Sequence, residues 1–177
     1  MPPAVSPQIT RISRFMAWLA LAGAVIDVAA VLAAFLFPDT MNAIHAFEYR
    51  HNGMEVTSAM PLSDRLAALV FACVPLALAG WSLIALSRLS GFYARAEVFS
   101  EGALHSLWVV AVTMFWNVIT AFFMQAPISY FLSGHHEISL GLSSDDFAAV
   151  FMAGVILVIA RVMGEARRMA DENASFV

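Results

Sequence analysis

One acid, Asp27, interrupts an otherwise uncharged run of 23 residues from Phe15 to Phe37. Thirteen residues separate it from Arg14, about 19.5 Å along a helix, which puts it near the middle of a membrane span. Inserting a carboxylic acid at that depth costs roughly 2.5 to 3.5 kcal/mol, so Asp27 should face protein or water rather than lipid. A polar face stands elsewhere in the chain. Thr113, Asn117 and Thr120 recur at i, i+4 and i+7 on one side of a helix, and Asn117 lies 16 residues past Glu101, at a matching depth. The expectation is a hydrogen bond from Asp27 toward Asn117 that packs two helices together. The competing expectation is a proton or ion pathway through Asp27.

Two further groups carry polar chemistry. His45, Glu48 and His51 precede His135, His136 and Glu137 in two loops. On a helix the first three would spread over about 240° of arc, and their spacing matches neither a HExxH zinc motif nor a Cys/His finger. No metal site is expected. Between Arg88 and Glu101, Leu89, Phe92, Tyr93, Ala96 and Phe99 fall near helical spacing. This predicts a short amphipathic interfacial segment, with Phe92 and Phe99 toward the membrane or the bundle and Arg95 and Glu97 toward the cytoplasm. Its aromatic residues, Tyr93 among them, would either anchor a tight inter-helix loop in the headgroup layer or form a docking element for a cytoplasmic protein. Ser100 is expected to cap the helix that follows.

No glycine-rich phosphate loop and no nucleophile elbow is present, and Asp27 has no paired His, Cys or second acid in sequence. Neither a catalytic residue nor a cofactor is expected, and the chain is read as no enzyme. All nine basic residues are arginine, and thirteen acids bring the net charge to −4. That leaves no basic patch for nucleic acid. Cys73 is the single cysteine, too few for an intrachain disulfide or a cysteine metal cluster.

The elements that position these residues follow from composition. Of 177 residues 61% are hydrophobic and 12% charged, against about 25% charged in an ordinary soluble domain. Four windows can cross a bilayer: 15–37, 66–87, 103–125 and 147–164, the last only if Arg161 snorkels toward the headgroups. The first is longer than a secretory h-region and is read as a retained span. Unpaired backbone groups are not tolerated in lipid, and no window alternates like a membrane strand, so the fold class is an all-α integral membrane four-helix bundle in one domain. Pro75 should kink the second helix.

Orientation follows from arginine. With both termini cytoplasmic, seven arginines lie inside and only Arg50 and Arg65 outside. The external segments, Pro38 to Arg65 and Ala126 to Asp146, then hold seven acids against two arginines, a charge of −5. Both are rich in turn formers, including Asn52, Gly53, Pro61 and Pro127.

The stretch from Leu86 to Val112 resembles a bacterial four-span membrane family catalogued as domain of unknown function 2975. The matching residues are Tyr93, Arg95, Glu97, Val98, Phe99, Ser100, Glu101 and Leu107. Ala96 stands where the family pattern usually has glycine, and Ala103 and His105 where it tends to have polar and basic residues. The resemblance implies a multi-pass protein of the bacterial plasma membrane, often encoded beside a small helix-turn-helix regulator, with no assigned reaction. The functional expectation is a membrane anchor or sensor for a cytoplasmic regulator, with the lipid bilayer as its other partner. The alternative is a small permease or channel component that uses Asp27.

Overall fold

The computed structural model describes residues 7–40, 50–51 and 54–174. Four long helices dominate: α1 (Pro7–Leu36), α2 (Leu62–Ala94), α3 (Glu101–Leu132) and α4 (Ser144–Ala174). Each contains a segment long and apolar enough to cross a membrane. The chain is a multi-pass membrane protein. The helices overrun the windows expected from sequence, since 33 residues of α2 measure about 50 Å, well beyond a hydrocarbon core of about 30 Å.

Local signals explain where the helices begin and end. Ser143 and Asp146 form a capping box at the start of α4. The Ser143 N–H donates to Asp146 Oδ2 at 2.7 Å, and the Asp146 N–H donates to Ser143 Oγ at 3.2 Å. Helix α3 ends in a Schellman motif: the His135 N–H reaches the Tyr130 carbonyl at 2.9 Å and Gly134 takes φ 68°.

Pro127, expected in a loop, lies inside α3. The helix continues because the residues beyond it have somewhere to go: Ile128 and Leu132 join Val31, Phe35, Ala68, Leu69 and Ala72 in a core cluster. Burying such side chains offsets the one backbone bond that proline removes. The long connection between α1 and α2 contains a two-residue antiparallel ladder, Arg50–His51 (β1) with Met54–Glu55 (β2), flanking Asn52-Gly53. Asn-Gly between short strands is a hairpin signal that helical periodicity passes over. Just beyond it, Val56 enters the same core cluster.

The helices pack in chain order, α1 on α2, α2 on α3 and α3 on α4. Among the described residues no comparable contact joins α4 back to α1. Only 11% of the apolar window of α4 is buried, and Phe147, Phe151, Val158 and Val162 point outward. An apolar surface of that extent is suited to lipid. Adjacent helices run antiparallel. Thr10 Oγ1 donates to the Ala94 carbonyl at 3.5 Å, and Arg167 pairs with Glu101. One end of the molecule therefore gathers the start of α1, the α2–α3 turn and the last turns of α4, with seven of the nine arginines. We call it the arginine-rich end.

Candidate functional site

The turn between α2 and α3 is built from both sides. Helix α2 stops in a second Schellman motif, in which the Glu97 N–H donates to the Phe92 carbonyl at 3.0 Å and the Ala96 N–H to the Tyr93 carbonyl at 3.1 Å. Ala96 takes φ 62°, a left-handed conformation that suits glycine. Helix α3 starts at Ser100, whose Oγ accepts the Ala103 N–H at 3.2 Å. The cap agrees with the sequence reading. The expected amphipathic segment is not an element apart from the spanning helix. Residues 88–94 are instead the last turns of α2, because Leu89, Phe92 and Tyr93 extend that helix's own packing face onto Ala103, Leu107, Ile156 and Ala160.

The Cζ end of the Phe92 ring abuts the first turn of α3. A Cβ on Gly102 would overlap Phe92 Cζ and sit 2.8 Å from Cε1, so only glycine lets the ring approach this closely. The Arg95 guanidinium stands 4.9 Å from the Phe92 ring centroid, and Arg95 Nε donates to Glu97 Oε2 at 3.2 Å. The Arg95 and Glu97 side chains remain 59% and 47% exposed. Phe99 is exposed as well and does not pack into the bundle. The turn thus presents an ion pair and one aromatic ring on a base fixed by two caps.

The intramembrane polar residues are arranged differently from expectation. Asn117 Nδ2 donates to the Pro75 carbonyl at 2.6 Å, not to Asp27. That carbonyl keeps a second lone pair for the amide, and α2 stands between α1 and α3 in the packing order. The intervening helix supplies the partner. Thr113 and Thr120 turn inward on their own helix and donate to the Val109 and Trp116 carbonyls at 2.7 and 2.8 Å. Asp27 is half-buried in α1, with no hydrogen-bond partner among the described residues.

At the opposite end, Ser129 is fully buried and accepts the Ser139 N–H at 2.9 Å, while Gln125 Oε1 accepts the Gly141 N–H at 2.7 Å. These two side chains, overlooked in sequence because nothing in their spacing marks them, tie the loop after α3 to its helix. His135 packs edge-on against Tyr130 with ring centroids 4.8 Å apart, and His136 is exposed. His45 and Glu48 lie outside the described residues, and His51 is described only in its backbone. Among the described residues no three His, Cys, Asp or Glu side chains converge on a metal-sized site.

A family model described as a protein of unknown function, DUF2975, matches residues 14–177. The chain belongs to this family. The match runs from Arg14 in the first span through α4, so the DUF2975 assignment covers all four membrane helices as well as the α2–α3 turn that carried the resemblance. No curated protein and no solved structure matches the chain. DUF2975 membership brings a four-span architecture and no assigned reaction.

Proposed function

We propose that this DUF2975 protein is a membrane anchor or sensor that receives a soluble regulator at its arginine-rich end, in the bacterial cytoplasmic membrane with both termini in the cytoplasm. The observation that carries the reading is the α2–α3 turn, where Arg95 and Glu97 stand exposed over Phe92 on a backbone capped from both sides. Exposed charges on a rigid base favour a specific partner because little conformational freedom is lost on docking. The orientation rests on the seven-to-two distribution of arginine. The regulator is the kind of partner that the family resemblance implies.

The test is co-purification of the parent chain and of Arg95→Ala combined with Glu97→Ala. Both side chains are solvated, so the double variant should insert normally and lose its cytoplasmic partner. Equal retention of every partner would remove the proposed contact surface.

A second reading, transport, is favoured by Asp27, a half-buried acid at mid-span with no hydrogen-bond partner among the described residues. Asp27→Asn in proteoliposomes separates the two. Loss of a proton-dependent flux with the fold intact would move transport ahead.

A further inference from the structure

A groove of about 150 Å³ runs between α2 and α3 near the arginine-rich end. Its floor is Ala85 and Ser106, both buried, and the Ser106 hydroxyl is already committed to the Gly102 carbonyl at 2.7 Å. Its walls are Trp81, Ile84 and Val109, with Trp81 61% exposed toward the outside of the bundle. Arg88 and His105 stand over the same groove from the two helices. The His105 ring is stacked on Trp108, centroids 6.3 Å apart, which fixes one side of the mouth.

Depth and charge narrow the occupant. The Asn117 to Pro75 bond sets the register of the two helices near the centre of the uncharged stretch 66–87. Arg88 lies 13 residues from Pro75, and His105 lies 12 from Asn117. At 1.5 Å per residue both stand about 18 to 20 Å from that layer, just beyond a hydrocarbon half-thickness of about 15 Å. Trp81 and Val109 lie within it. The groove therefore has a cationic mouth at headgroup level and an apolar body at acyl-chain level.

Among the described residues no acid pairs with the charge of Arg88 at the mouth. Arg95 pairs with Glu97, Arg167 with Glu101, and Arg168 with Glu165 and Glu172. No carboxylate lines the groove, so a choline or ethanolamine ammonium would find no partner among its lining residues, whereas a phosphate without a compensating cation would meet guanidinium and imidazole donors. Basic pockets between membrane helices are suited to anionic headgroups.

We infer that this groove holds one anionic phospholipid, its phosphate on Arg88 and His105 and one acyl chain along Trp81, Ile84 and Val109. The site is independent of whether a soluble regulator docks on Arg95 and Glu97. It gives the protein a means of registering the anionic lipid content of its own leaflet.

The test is native mass spectrometry of the purified full chain, titrated with phosphatidylglycerol and with phosphatidylcholine of the same acyl chains. One phosphatidylglycerol should bind roughly tenfold more tightly than phosphatidylcholine. Arg88→Gln and His105→Gln should each weaken it, and Arg168→Gln, at an arginine already paired, should not. Equal binding of the two lipids, or equal weakening by Arg168→Gln, would overturn the site. Inorganic phosphate at millimolar concentration should fail to displace the lipid, and displacement would show a headgroup-only anion site instead. If Arg88→Gln fails to fold, bromine-labelled phosphatidylglycerol on the parent chain decides. It should quench tryptophan fluorescence by an increment that Trp81→Phe removes, and quenching unchanged in Trp81→Phe would sink the proposal.

Discussion

Ala96 and Gly102 sit six residues apart and make opposite demands on the backbone. At φ 62° Ala96 bears a left-handed strain of roughly 1 to 2 kcal/mol, only partly offset by the lower unfolded-state entropy of alanine relative to glycine. Ala96→Gly should raise stability by about 0.5 to 1 kcal/mol, read as a higher midpoint of thermal unfolding in detergent. The family pattern anticipated this position, although a single sequence holds no signal for its φ. Gly102 is the reverse case, because its helical conformation is ordinary and its need for glycine comes entirely from the Phe92 ring above it. Gly102→Ala should cost roughly 1 to 3 kcal/mol by overpacking. Adding Phe92→Leu should recover part of the loss, and strict additivity in that double-mutant cycle would show that the ring is not the cause. Asp27 and Asn117 teach a related lesson. Residue counting puts both near mid-span, and it could not give the azimuth that turns Asn117 toward Pro75.

At the scale of the elements, hydropathy and arginine spacing made four spans legible, since each is a long apolar run holding at most one charged residue. The ends of the helices were not legible in the same way. Pro127 and the residues after it read as loop by local propensity, yet burial of Ile128, Ser129 and Leu132 draws them into α3. Tertiary contact decided the boundary. Conversely, Ser143 and Asp146 carry the sequence signal of a capping box, which lies outside the apolar run that hydropathy detects. The loop that follows α3 depends on Gln125, whose Oε1 accepts the Gly141 N–H at 2.7 Å. Gln125→Leu would leave that N–H without its acceptor at a partly buried site, at a cost of about 1 to 3 kcal/mol. The expected outcome is faster amide exchange and protease cleavage confined to residues 133–143, with α3 itself protected. Unchanged protection of that loop would mean that Ser129, bonded to Ser139 from the same helix, holds it alone.

For the whole molecule, antiparallel packing and charge make separate statements about topology. The Thr10 to Ala94 and Arg167 to Glu101 contacts bring the start of α1, the α2–α3 turn and the end of α4 to one end of the bundle. If the helices span, the start of α1, the end of α4 and Arg95 must lie on one side, whichever side that is. Which side is a question of arginine, since loops rich in Arg are retained in the cytoplasm, and seven of nine stand at this end. The other end gathers acids, including Asp39, Asp64, Glu137, Asp145 and Asp146. Reporter fusions after Asn52, Arg95, His136 and Val177 test the two statements independently. Cytoplasmic signals at Arg95 and Val177 with periplasmic signals at Asn52 and His136 are expected. If all four signals exchange sides, the packing stands and the orientation inverts, which would also move the Arg95 and Glu97 surface away from any cytoplasmic regulator. If Arg95 and Val177 report opposite sides, one of the four helices does not cross, and α4, the least buried of them, is the first to suspect.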